Sequence, residues 1–164
     1  MTIDVYVQIE GIKGDSSDDK HTGWIEALHL DWGVVQPKSA TASSAGGHTA
    51  ERAEFEELTF LKHADLSSPI LMQTCSMGKT IRKVKIEFFR ADGQGTRVKY
   101  FDVQLENVLI GHVAAVIQSG HLLAESVGLK YSKIKCTYTQ QKIGGGAAGN
   151  TMGGWDLASN KIAV

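Results

Sequence analysis

The chain has 164 residues, a formal net charge of −1, and 42% hydrophobic against 21% charged side chains. That length reads as one domain over 1–164, large enough to bury a core without a metal or a disulfide. The small net charge supplies no general attraction to nucleic acid or an anionic membrane, and no run approaches the ~18 apolar residues of a spanning helix.

In chain order, Ile3, Val5, Val7 and Ile9 alternate with Asp4, Tyr6, Gln8 and Glu10, the pattern of a half-buried strand. This opening lacks a basic region, an apolar core and a cleavage site. The expectation is synthesis in the cytoplasm and no exit by a route that needs a cleaved leader, so that any export would use a different machine. A polar turn-rich stretch, GIKGDSSDDKHTG, follows. In WIEALHLDWGVV, Trp24, Leu28, Leu30, Trp32 and Val34 are expected on one face, with His29 and Asp31 on the other. Residues 36–53 are small, polar and glycine-containing, and a loop this long usually has a function or is disordered.

FEELTFLKH resumes a strand, with Leu58 and Phe60 opposed to Thr59 and Leu61. DLSSPILMQTCSMGK then reads as the one clear helix. Ser68 is its expected N-cap, Pro69 occupies the first turn, and Gly78 ends it. Leu71, Met72 and Cys75 are its expected packing residues. In TIRKVKIEFFR, Val84, Ile86 and Phe88 oppose Lys83, Lys85 and Glu87, and Asp92-Gly93 marks a hairpin turn. The stretch from Val98 to Ile110 switches alternation phase twice, and that from Val127 to Tyr138 switches once. Such switches belong to bulges or barrel corners, so a bent or closed antiparallel barrel is expected. Residues 143–154 are glycine-rich and read as a flexible connector, and 155–162 as a last strand or tail.

Chemical motifs are sparse. Gly144, Gly146 and Gly149 fit G-x-G-x-x-G literally but lack the strand before and the helix after. Gly78-Lys79-Thr80 resembles the end of a phosphate-binding loop, yet the helix precedes the lysine. The six histidines have no zinc spacing and read as surface residues. Cys75 and Cys136 read as buried free thiols. No nucleophile elbow is present, so no catalytic, cofactor-binding or metal-binding residue is assigned.

The chain resembles the haemolysin-coregulated protein (Hcp) family, the tube protein of bacterial type VI secretion. The likeness is carried by DVYVQIEGIKGDSSDDKH, WI leading to LDWGVVQP, AERAEFEELTFLKHAD, SSPILMQTCSMGK, LENVLI, YTQQK and GGWDLASNK. It implies a mainly β, phage tail-tube-like fold: an antiparallel β-barrel of two sheets with one short α-helix packed on it. It also implies a homohexameric ring, stacked into a tube inside a contractile sheath, tipped by a spike protein, and secreted with effector proteins in its channel.

On that expectation His29, Asp31, Lys83, Lys85 and Glu87 line the channel. Pro37, Ala42, Ser44, Gly46, Gly47 and Arg52 contact the neighbouring subunit through the long loop. Residues 3–9 or 155–162 offer edges for pairing. No cofactor, nucleic acid or membrane insertion is implied, nor any enzymatic activity. The rival reading is a monomeric lectin-like β-barrel that stacks sugars on Trp24, Trp32 or Trp155; a weaker rival is an enzyme with a Ser/His pair assembled in space.

Overall fold

The computed structural model describes residues 4–37 and 51–164. Along them run β1 (Asp4–Ile9), β2 (Ile25–Ala27), β3 (His29–Asp31), β4 (Val34–Val35), β5 (Glu54–Phe55), β6 (Leu58–His63), α1 (Ser68–Met77), β7 (Ile81–Ala91), β8 (Arg97–Val116), β9 (Ala124–Lys130), β10 (Lys133–Gln141), β11 (Ala147–Asp156) and β12 (Lys161–Ile162). Ten strands form one connected sheet that folds back on itself, and β4 pairs separately with β5.

Two stretches of chain make the fold-back. β8 pairs with β7 and β10 over its first half, then with β9 beyond residue 108. The β2–β3 segment leaves β1 at Ala27 and joins β6 at His29. One layer is therefore β2–β1–β7–β8–β10–β11–β12, and the other is β3–β6–β9–β8. The result is barrel-like. Among the described residues the circuit turns through shared chain at its corners and is not a complete ring of ladder hydrogen bonds.

The phase switches mark these corners. Phe88 faces Phe101 but Phe89 faces Lys99, so Tyr100 is the extra residue of a bulge. Asn107 takes a positive φ of 51° where β8 passes between layers, and Gly111 is extra opposite β9. The third switch is a strand break at Tyr131-Ser132, between β9 and β10. Between the layers lie Val7, Val84, Ile86, Val103 and Leu105 from one side and Leu58, Phe60, Val127 and Leu129 from the other, all fully buried.

Helix α1 covers part of this core and ends as expected, with Gly78 left-handed at φ 64°. Its N-cap is Ser67, one residue earlier than the sequence suggests, and makes no side-chain cap. The turn is held instead by Asp65, whose carboxylate accepts the Ser67 N–H at 2.9 Å. Leu71 is fully buried and Cys75 half-buried against the core, but Met72 is 62% exposed. Adjacent helical residues project about 100° apart, so Met72 cannot share the inward face of Leu71.

Other expectations change too. β1 is internal, flanked by β2 and β7, so residues 4–9 are no free edge. The 143–154 stretch is largely strand β11, laid along β10. There its glycines admit close backbone: a Cβ on Gly154 would collide with the Ala163 carbonyl. The 24–35 stretch is cut into three short strands, which leaves Leu28 and Val34 exposed while Ile25 is buried.

Candidate functional site

The outer face of the β3–β6–β9–β8 layer is built by register. Asp31 lies opposite Thr59, Thr59 opposite Gly128, and Gly128 opposite His112. The next row is His29, Leu61, Ser126 and Ala114. His29 and Asp31 are well exposed, with Nε2 and Oδ2 3.2 Å apart. At the far side His112 Nδ1 is 2.7 Å from Glu57 Oε1, and its Nε2 is 3.2 Å from Ser126 Oγ. Gly128 makes room for this chain, because a Cβ there would collide with both Glu57 and His112.

Carboxylate, imidazole and hydroxyl stand in the order of a nucleophilic relay. A relay also needs donors aimed at a developing oxyanion. The residues on either side of the bulge are paired in the β8–β9 ladder. The bonds as they stand tether the Glu56-Glu57 turn to the sheet. Glu57, His112 and Ser126 are far apart in sequence, and only cross-strand register could have joined them.

Lys83, Lys85 and Glu87 stand on the outer face of the other layer. Their neighbours on β8 are Glu106, Gln104 and Asp102. This face is charge-paired only in part: Lys99 lies 3.5 Å from Asp102 and 3.9 Å from Glu87, and Lys133 lies 3.5 Å from Glu106, while Lys83 and Lys85 have no carboxylate within salt-bridge distance among the described residues. The five residues expected on one wall thus occupy two faces of one subunit, turned away from each other across a shared core.

Two buried polar clusters were not foreseen. His21, expected at the surface, is buried with its ring stacked on Tyr6 at 4.3 Å. Its Nδ1 is 2.6 Å from Asp18 and its Nε2 3.4 Å from Glu87. Arg97 donates to the Tyr6 hydroxyl at 2.6 Å and to Asp18 at 2.7 Å. The hydrogen bond to His21, with help from Arg97, holds the Asp18 carboxyl below its ordinary value. The second cluster surrounds Lys62, which is fully buried. Its Nζ donates to Asp65 and Glu125 at 2.9 Å each, to the His63 carbonyl at 3.0 Å, and to Ser68 Oγ at 3.1 Å.

The three tryptophans are all half-buried. Trp24 packs edge-on against His21, while Trp32 and Trp155 border an apolar cavity of about 360 Å³ with Phe55, Ile134 and Cys136. Cys75 and Cys136 are free and only partly buried; burial pushes the Cys136 thiol up. Burial also raises Tyr131 to about 12, with its hydroxyl donating to the Glu56 carbonyl at 2.9 Å. Among the described residues no group of three candidate ligands could hold a metal ion. No helix there is long and apolar enough to cross a membrane.

Of the loop residues expected at an interface, Pro37 is half-buried and Arg52 is exposed, donating to the Leu157 carbonyl. Ala42, Ser44, Gly46 and Gly47 lie outside the described residues.

The model of the family described as "Type VI secretion system effector, Hcp" matches residues 6–138. Protein hcp1 of Pseudomonas aeruginosa is 32% identical over 162 residues, 98% of each chain. The chain belongs to the Hcp family. Among solved structures, Hcp1 from Salmonella typhimurium has 25% identity and a TM-score of 0.80, covering 99% of this chain and all of that one. A structure of a type six secretion system protein reaches a TM-score of 0.91 at 24% identity over 99% of this chain and all of that one, a likeness of fold. Hcp proteins are secreted structural components of the type VI system, and the fold implied by the resemblance is the fold found.

Proposed function

We propose that this Hcp chain is a structural tube subunit without catalytic activity. Six copies join side by side around a channel, and the rings stack into the inner tube of a type VI machine. A sheath surrounds that tube, a spike protein tips it, and effector proteins travel in the channel. The chain acts as one domain over 1–164.

The observation that carries this reading is the β3–β6–β9–β8 layer. Among the described residues β3 pairs only with β6, and β8 beyond residue 108 pairs only with β9. Two unpaired edges of different sequence flank one sheet. That is the requirement of a head-to-tail contact, which closes into a ring when the rotation fits. The apolar surface supports it too, since Val34, Val35, Val116, Ile117 and Leu122 are exposed.

On this reading the outer face of that layer, with His29 and Asp31, lines the channel. Lys83, Lys85 and Glu87 then look away from it. Native mass spectrometry and negative-stain images test the ring: annular particles of six chains are expected, and a persistent monomer at high concentration refutes it. Asp31→Trp in an assembled ring should lower retention of a co-expressed effector, and unchanged retention removes Asp31 from the wall.

A further inference from the structure

The surface beside α1 carries a groove that the tube reading leaves unused. Ile70, Gln73 and Met77 stand at i, i+3 and i+7 on α1. Leu71 turns instead to the core, and buried Thr74 also lines the groove. Ile70 is 44% and Met77 59% exposed, so the stripe presents two open apolar side chains on either side of Gln73. It borders a cleft of about 460 Å³ between α1, the end of β1 and the start of β7. A second cleft of about 620 Å³ continues it, sharing Glu10, Gly11, Ile12 and Arg82.

Charge is one-sided here. Lys13, Lys79, Arg82, Lys83 and Lys85 line the two clefts against one carboxylate, Glu10. Arg82 engages that carboxylate at 3.2 Å. Lys13, Lys79, Lys83 and Lys85 have no carboxylate within salt-bridge distance among the described residues. The chain as a whole has a net charge of −1, so this concentration of cations is local.

We propose that this groove docks an acidic amphipathic helix of another protein. The occupant lays two apolar side chains, about two helical turns or ~10 Å apart, against Ile70 and Met77. Its carboxylates face the lysines of β7 and the β1 end. Apolar contact supplies affinity, and the cationic rim sets direction and on-rate. The inference does not require the ring.

The test uses the full chain in its native assembly and a fluorescein-labelled synthetic helix. The probe has leucines at i and i+7 and glutamates on the flanking positions. Two control helices replace the glutamates by lysines or the leucines by alanines. Anisotropy should show binding of the acidic leucine helix alone, weakening as salt rises. Lys13→Glu with Lys79→Glu should weaken it about tenfold, and Ile70→Ser comparably, with unchanged thermal midpoints because these side chains are exposed.

The proposal falls if the acidic helix does not bind, if the lysine helix binds equally, or if neither variant changes affinity. It also falls if a crosslinker placed at Gln73 captures only a second copy of this chain. Equal binding of a short single-stranded DNA would overturn it as well, since that requires charge alone.

Discussion

Replacing Lys62 by alanine tests how the foot of the helix is tied to the barrel. Lys62 sits opposite Glu125 across β6 and β9, and its Nζ has four oxygen partners between 2.9 and 3.1 Å. The lysine side chain has no exposure, and Asp65 and Glu125 retain 10% and 5%. Removing the ammonium leaves two nearly dry carboxylates, among the described residues Glu125 with only the Ser68 hydroxyl and Asp65 with only its Ser67 donors. Breaking a buried pair from one side costs about 3–5 kcal/mol. Replacing both ions by apolar groups of similar volume is much cheaper, so Lys62→Met with Glu125→Leu should recover most of the loss; Asp65 keeps its Ser67 donors.

Urea unfolding at fixed protomer concentration measures both variants, because assembly adds stability by mass action. A loss under ~1 kcal/mol for Lys62→Ala, or a double variant as damaged as the sum of its parts, would refute the account of an ion cluster that matters through its completeness.

The same assay separates the two faces of α1. Leu71→Ala should cost about 2–5 kcal/mol because Leu71 is fully buried, while Met72→Ala should stay within ~0.5 kcal/mol. Comparable losses would mean that Met72 packs inward after all. A pH series tests the Asp18 cluster. The folded carboxyl titrates below its unfolded value, so its stabilisation is full above the usual carboxylate range and is lost as pH falls through the folded value. Asp18→Asn should therefore be less stable than the parent at neutral pH, with the gap closing in acid. A gap that widened on acidification would reverse the sign and defeat the assignment.

Period-two alternation is a strong signal wherever one side of a strand meets the core. Val84, Ile86 and Phe88 of β7 could be read directly for that reason, and Gly78 could be read because few other residues accept its backbone angles. Alternation says only inward or outward, however, and a folded sheet has two outward directions. His29 and Lys83 both read as outward, and nothing local says they belong to different layers. Tyr6 fails for another reason: it does point out of the sheet, but His21 and Arg97 from distant segments lie over it. Lys62 falls on the inward phase with Leu58 and Phe60, where a lysine would be unfavourable without Glu125, 63 positions away. In each miss the deciding partner is remote in sequence.

The distribution of surface polarity fits the proposed lateral assembly. Its two outer faces are polar, one with the histidine and serine rows and one with paired lysines and carboxylates. Besides those on α1, exposed apolar side chains stand at margins: Val34 and Val35 on β4, Val116 and Ile117 where β8 ends, and Leu122 and Leu123 before β9. Apolar surface is what association removes from water, while a charged face resists burial unless every group finds a partner. In the proposed ring a second copy of this chain is therefore favoured at the margins, beside strands whose hydrogen bonds are still unspent, and disfavoured on either face. Contact through margins leaves both faces wet, and that is the condition under which one of them can form the wall of a water-filled passage.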